Sequence, residues 1–156
     1  MVINLEILNE EEYDYLVDTT KYHEDALQRK LRWVKEELGM IEDDYYDEET
    51  RKRQLGHCEK CLGEIKNCNN LFTKIKTSKK FEIGEDEYTE FLNFMVEQLY
   101  HAKNRTEDFS KDEFGWGADN CNTLIKQEQK YIGVLEKVFN MYRGKYTYEL
   151  VLERIC

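Results

Sequence analysis

Residues 9–39 read NEEEYDYLVDTTKYHEDALQRKLRWVKEELG, and this stretch decides the fold class. Asn9 precedes three glutamates, which is typical of a helix start because its side chain can cap free amides and acids favour the first turn. A stripe of mostly apolar residues then follows at helical spacing. Its members are Tyr13, Leu16, Val17, Thr20, Leu27, Leu31, Val34 and Leu38. The stretch predicts a long amphipathic helix that ends at Gly39, since glycine commonly follows a helix C-terminus.

Three more helical patterns follow along the chain. Apolar spacing predicts these helices over residues 48–76, 85–102 and 119–143. Residues 104–118 lack a clean period and include Phe-Gly-Trp-Gly, which predicts a long ordered loop. The whole pattern indicates a mainly α protein, a single-domain helical bundle over residues 1–156 with about four long helices.

The two ends of the chain carry weaker signals. Ile3, Leu5 and Ile7 alternate with polar residues, as the residues of a half-buried strand do. Residues 146–155 suit either a strand or a short helix capped by Thr147. A small sheet that pairs the two termini is therefore an option of the predicted fold.

Composition excludes several classes of protein. The 156 residues include 40% hydrophobic and 13% aromatic ones, so disorder over the whole chain is not expected. No apolar run approaches the roughly 20 residues that cross a bilayer, and the first residues lack the basic and apolar regions of a secretion signal. Five cysteines, an odd number, do not indicate a disulfide framework. We therefore expect a cytoplasmic protein that does not enter a membrane.

The net charge of -10 is unevenly distributed along the chain. Residues 1–50 carry 16 acidic and 5 basic side chains, whereas residues 51–80 carry 2 acidic and 9 basic ones. The acidic total disfavours free nucleic acid and anionic membranes as ligands. One interpretation is that the two segments are neighbouring helices whose charges neutralise each other. The other is that acidic and basic surfaces face different partners.

The densest acidic stretch connects the first two predicted helices. Tyr45 and Tyr46 stand there between carboxylates, and Asp47 is placed to cap the second helix. Tyrosine and tryptophan often anchor protein interfaces, and Trp116 lies between two glycines in the predicted loop. The candidate partner-binding residues are therefore Glu42, Asp43, Asp44, Tyr45, Tyr46, Asp47, Glu48 and Trp116. The alternative for both aromatic features is a lid that covers the end of the bundle.

The first helix carries a second apolar stripe on its opposite side. Tyr15, Tyr22, Ala26 and Trp33 form it at helical spacing. A helix that is apolar on two faces either packs between other helices or contacts another chain. Tyr15, Tyr22 and Trp33 are therefore candidates for a second interface, and a homodimer is an alternative to a monomer.

Cysteine spacing raises the question of a metal site. Cys58 and Cys61 are separated as zinc ligands often are, and His57 lies beside them. The sequence supplies no second pair of this kind, so cysteines that fill the core are the simpler interpretation. No metal and no cofactor is predicted.

Paired carboxylates are the other candidate for chemistry. Glu36, Glu37 and Glu128 are the acids from which a metal-dependent hydrolase with helix-borne carboxylates could be built. Glu128 interrupts an apolar stripe, and its simpler interpretation is an ion pair with a base, for example one from the second helix. No catalytic residue is predicted.

The sequence as a whole favours a non-enzymatic domain that binds a protein with a basic surface. Acidic and aromatic surfaces capture such partners rapidly through electrostatic steering. Inhibitors or nucleic-acid mimics that act on basic nucleic-acid-binding enzymes, of the type carried by phages and mobile elements, have this character. The alternatives are the metal-dependent hydrolase and a self-associating structural protein.

Overall fold

The computed structural model describes residues 1–156 and contains five helices and two short strands. The strands are β1 (Val2–Asn4) and β2 (Lys80–Glu82), and the helices are α1 (Glu10–Glu42), α2 (Glu48–Thr77), α3 (Glu85–Lys111), α4 (Ala118–Tyr142) and α5 (Tyr148–Ile155). The mainly α bundle predicted from the sequence is confirmed. None of the helices combines the length and the apolar character that a membrane span requires.

Three helices begin where the sequence predicts capping residues. The Asn9 side chain accepts a hydrogen bond from the Glu12 amide at 2.8 Å, and the Glu12 carboxylate accepts one from the Asn9 amide at 2.9 Å. The side chains of Asp47 and Thr147 cap α2 and α5 by accepting from an amide three residues on. These caps satisfy amides that have no partner inside the helix. The C-terminal segment is therefore the capped short helix, not a strand.

The helix α1 is longer than predicted at its C-terminal end. It continues through Gly39 to Glu42, because the last turn buries Ile41 in a cluster shared with α2. The chain leaves the helical conformation at Asp44, whose φ is 55°. The connection between α1 and α2 is thereby limited to residues 43–47.

The predicted loop over residues 104–118 is wrong for most of its length. The helix α3 continues to Lys111, and the connection to α4 is limited to residues 112–117. Thr106 and Phe109 extend the shielded face of α3 beyond Ala102 at steps of four and three residues. Thr106 is polar and bonds its hydroxyl back to the Ala102 carbonyl, so the apolar period weakens although the helix continues.

The four long helices run alternately up and down, each antiparallel to the next. The pairs Glu24–Lys76 and Lys30–Glu64 join α1 to α2 in the order expected of antiparallel neighbours. The helix α3 packs most extensively against α4. By contrast, α1 and α4 make few contacts, which leaves space between them.

Burial divides the bundle into two packing units. The main core contains 19 buried residues from all five helices, from β1 and from the segments that follow β1 and β2. Its largest side chains that are less than 2% exposed are Leu16, Leu71, Phe72, Ile75, Phe91, Leu92, Met95, Leu99 and Leu135, together with Ile3 and Leu5 near the N-terminus. A separate cluster of Val34, Ile41, Cys58 and Cys61 joins α1 to α2 alone. The far ends of α1 and α2 therefore form a hairpin that packs independently of α3 and α4.

The N-terminal strand does not pair with the C-terminal segment, which was the pairing that the sequence suggested. β1 pairs antiparallel with β2, with Ile3 opposite Phe81, and not with the C-terminal segment. On the other side of β1, the Tyr142 hydroxyl donates to the Asn4 carbonyl at 2.9 Å and accepts from the Asn4 amide at 2.7 Å. This hydroxyl satisfies the backbone groups that a third strand would have used, so no sheet joins the termini.

Candidate functional site

The connection between α1 and α2 forms an acidic tip, which we define as residues 42–49. Its carboxylates belong to Glu42, Asp43, Asp44, Asp47, Glu48 and Glu49, and all six residues are exposed. Tyr45 is 72% exposed in their midst and meets the Tyr46 ring edge-on at 5.1 Å between centroids. The tip therefore presents an aromatic side chain surrounded by negative charge, as the sequence predicts.

Several tip residues hold the hairpin together. The Asp44 carboxylate pairs with Arg51 on the first turn of α2. The Asp47 carboxylate caps α2 by accepting from the Thr50 amide at 2.8 Å, and this bond lowers the Asp47 pKa. The Tyr46 hydroxyl donates to Glu37 at 2.9 Å. Of the predicted contact residues, Asp44, Tyr46 and Asp47 thus have structural roles as well.

The connection between α3 and α4 presents a second aromatic surface. Trp116 is 47% exposed and stacks against the ring of Phe114 at 5.2 Å, with Phe109 on its other side at 6.1 Å. The turn is fixed by Asp112, whose carboxylate accepts from the amides of Trp116 and Gly117 at 2.8 and 3.2 Å. Trp116 is neither a lid over the core nor isolated, but part of an exposed aromatic group.

The acidic tip and Trp116 lie at the same end of the bundle but do not touch. Both connections follow helices that run in the same direction, α1 and α3, so both point away from the chain termini. No hydrogen bond, ion pair or ring contact joins residues 42–49 to residues 109–117. The predicted set of contact residues is therefore two separate surfaces.

The three residues that were predicted to form a second interface on α1 do not form one exposed surface. Tyr15 stacks on Tyr131 of α4, with ring centroids 3.8 Å apart and planes within 2°, so this residue packs inside the chain. Trp33 meets His57 of α2 edge-on at 5.7 Å. Tyr22 remains 79% exposed and has neither a hydrogen bond nor a ring partner in the chain. Only Tyr22 and part of Trp33 are free for contacts with another molecule.

A cavity of about 660 Å³ opens between α1, α3 and α4, where the contacts between α1 and α4 are sparse. Its lining residues are Tyr15, Asp18, Thr19, Tyr22, His23 and Ala26 of α1, Glu97, Gln98, His101 and Arg105 of α3, and Glu128 and Tyr131 of α4. The sequence does not predict a common role for these residues. The one visible signal is Gln98, a polar residue inside the apolar run of α3 between Met95 and Leu99.

The inner wall of the cavity centres on His23 and Gln98. The Gln98 amide nitrogen donates to the Nε2 atom of His23, which packs edge-on against Phe94 at 4.9 Å. Burial lowers the His23 pKa from its ordinary value of 6.5, and the neighbouring Glu97 carboxylate only partly offsets this effect. His23 is therefore neutral at pH 7 and accepts the Gln98 hydrogen bond.

Acid is expected to destabilise the fold through His23. Since the unfolded chain protonates this histidine near its ordinary pKa of 6.5 and the folded chain only at lower pH, the free energy of unfolding falls as pH drops below about 6.5. The decrease in melting temperature between about pH 7.5 and pH 5.5 should be smaller in H23Q than in the unchanged protein. The matched variant H57Q, at an exposed histidine of α2 outside the cavity, should keep the decrease; equal decreases in all three proteins would contradict the assignment.

Glu128 forms an ion pair, but its partner is not on α2, the helix that the sequence suggested. Its two carboxylate oxygens accept from Arg105 Nε and Nη2 at 2.9 and 3.2 Å, a bidentate arrangement. The base therefore comes from α3 and not from α2, because α4 packs on α3 and lies away from α2. The Glu128 side chain is only 13% exposed, so this pair fixes the wall of the cavity and leaves no free carboxylate for a metal.

The remaining candidates for metal chemistry are scattered. The His57 Nε2 atom lies 3.7 Å from the Cys61 sulfur, while Cys58 fills the cluster between α1 and α2. Glu37 accepts a hydrogen bond from the Tyr46 hydroxyl. It belongs to α1, whereas Glu128 belongs to α4. Nowhere do three or more His, Cys, Asp or Glu side chains stand together in a way that could hold a metal ion.

The chain thus offers an acidic tip, an exposed aromatic turn and a cavity between three helices. The first two are presented to solvent and suit contacts with a macromolecule, whereas the cavity has the size of a small-ligand site. Comparison with known proteins gives no match to a family model, to a curated protein or to a solved structure.

Proposed function

We propose that the chain is a non-enzymatic domain that binds a basic surface of another protein through its acidic tip. The observation that supports this most directly is the exposure of Tyr45, 72%, among six exposed carboxylates at the end of a hairpin. Glu42, Asp43, Glu48 and Glu49 form no ion pair within the chain. A cationic partner therefore need not displace an existing pair in order to reach them.

The physical basis of such binding is electrostatic attraction combined with one aromatic anchor. Concentrated charge of one sign accelerates encounter with a partner of opposite charge, and its effect falls as salt shortens the Debye length. A tyrosine at the centre of the charged patch adds apolar contact area with little loss of side-chain entropy. The five free cysteines fit a cytosolic setting for this interaction.

The test compares capture of proteins from a lysate of the source cells by three forms of the domain. The tip variant carries E42Q, D43N, E48Q, E49Q and Y45A, and leaves the structural residues Asp44 and Asp47 in place. The control variant carries E6Q, D14N, E113Q and E153Q, which remove the same charge from exposed positions outside the tip. A partner that binds the tip is retained by the unchanged protein and by the control, and is lost from the tip variant.

Salt and DNA provide the second readout of the same experiment. Retention should fall by at least tenfold in about 0.5 M salt, where the Debye length is only about 4 Å. Equal retention by the tip variant, or unchanged retention in high salt, would reject the proposal. Displacement of the partner from the domain by duplex DNA would identify it as a nucleic-acid-binding protein, the narrower function that the acidic composition favours.

A further inference from the structure

We propose that the cavity between α1, α3 and α4 is a binding site for an organic cation, an alkylguanidinium or alkylammonium group. This site is separate from the acidic tip: its last lining residue on α1 is Ala26, and the tip begins at Glu42, roughly 24 Å further along the helix. The inference therefore does not depend on the function proposed for the tip.

The charges of the cavity favour a positive ligand. Three carboxylates line it, Asp18, Glu97 and Glu128, against a single guanidinium, Arg105. Glu128 and Arg105 neutralise each other in their bidentate pair, so an anion finds no free positive group. Asp18 and Glu97 remain, each with only a long contact to an exposed neighbour, at 3.6 Å to Lys21 and 3.8 Å to His101. Such exposed pairs are weak and easily exchanged for a bound cation.

The Gln98 side chain leaves the cavity one hydrogen-bond acceptor that has no partner in the chain. Gln98 is 8% exposed and lines the cavity, and its amide nitrogen is used by His23. The carbonyl oxygen of the same side chain accepts no hydrogen bond within the chain. This oxygen can accept a hydrogen bond from a ligand that donates one, as guanidinium and ammonium groups do.

Tyrosine rings supply the third element of the site. Tyr15, Tyr22 and Tyr131 line the cavity, the first and last as a parallel stack. Tyr22 is 79% exposed at the same wall and has neither a hydrogen bond nor a ring partner in the chain. Aromatic faces attract cations, and a cation held between a carboxylate and a tyrosine ring gains from both. Two weakly paired carboxylates, a carbonyl without a partner in the chain and three phenol rings together describe a cation site.

The test is titration of the protein with agmatine, which carries a guanidinium and an ammonium group on a short alkyl chain, monitored by NMR chemical shifts. Saturable binding is expected, with the affected amides around Tyr22 and Gln98. The variants E97Q and Y22A should each weaken binding by about tenfold, because each removes one contact of the cation. E153Q, an equal charge change on α5 outside the cavity, should leave the dissociation constant unchanged.

Additional arms identify the source of the cation and separate this site from the tip. Glutarate, a dianion of similar size, should not bind. A capped peptide with one internal arginine that binds as agmatine does would indicate a side chain of a protein partner, whereas binding of agmatine alone would indicate a free amine. The tip variant should bind agmatine normally. Absence of saturable binding up to about 10 mM, or an unchanged dissociation constant in both E97Q and Y22A, would overturn the inference.

Discussion

Deletion of residues 1–8 is expected to unfold the domain. Ile3, Leu5 and Leu8 are each at most 2% exposed and belong to the main core, although they precede the first helix. Burial of each such side chain contributes about 1.5–3 kcal/mol, so their loss removes roughly 5–9 kcal/mol from a domain whose total stability is of the order of 5–15 kcal/mol. Circular dichroism should show a large loss of helix and no cooperative melting transition.

The deletion also removes hydrogen-bond partners that the rest of the chain cannot replace. Tyr142 and β2 lose the backbone groups of β1, and the Ile83 amide loses the Met1 carbonyl. The double variant V2T/I7T is the control, because both side chains are exposed in the same segment and should change stability little. The milder variant L5A should lose about 2–5 kcal/mol in urea unfolding. A deletion variant that melts cooperatively within a few degrees of the full chain would contradict the assigned role.

The start of the chain shows how far sequence can predict this fold. The alternation of Ile3, Leu5 and Ile7 predicts a strand, and the strand exists only over Val2–Asn4, with Ile7 outside it and exposed. Its partner is not predictable from the pattern, because three-residue strands carry no register information and Tyr142 supplies the hydrogen bonds expected from a neighbouring strand. By contrast, α1 and α2 could be predicted because their caps and apolar stripes are local features. Apolar periodicity does not predict the end of α3, because the polar residue Thr106 continues the shielded face of this helix.

The cavity could not be predicted from the sequence, for a related reason. Its walls are side chains that each look ordinary in sequence: His23 at the edge of a stripe, Glu97 and His101 as an exposed pair, Glu128 as an interruption. Only the register between helices brings them together, and sequence periodicity does not report that register. The acidic tip could be predicted because its residues are contiguous. Its internal division into structural and free carboxylates required the positions of Arg51 and the α2 cap.

One interpretation of the uneven charge distribution, neutralisation between neighbouring helices, describes part of the molecule. Lys76 of α2 pairs with Glu24 of α1, and Lys74 pairs with Glu87 of α3, so the basic helix neutralises acids on both of its neighbours. Other bases of α2 form no ion pair in the chain, namely Lys52, Arg53, Lys60 and Lys66. Ion pairs therefore neutralise part of the charge between the helices, whereas Glu42, Asp43, Glu48 and Glu49 of the acidic tip form no ion pair.

Replacement of Phe72 by alanine is expected to be the most damaging single truncation near the cavity. Phe72 is 1% exposed and contacts the Phe94 ring at 5.1 Å and the His23 ring at 5.9 Å. Loss of a buried phenyl ring and the cavity that it leaves cost about 3–5 kcal/mol, which corresponds to a decrease of roughly 10 °C or more in melting temperature.

The F72A variant also links the core to the cation site, since the ring of Phe72 supports His23 and thereby the position of Gln98. The matched variant F114A removes the same side chain from the α3–α4 connection, where it is 75% exposed, and should change the melting temperature by only a degree or two. If agmatine binds as proposed, F72A should weaken it at a temperature where the variant is still folded, whereas F114A should not. If F72A and F114A had equal melting temperatures, the packing of Phe72 against α3 would not stabilise the core. Phe72 would then not support His23 in the way that we propose.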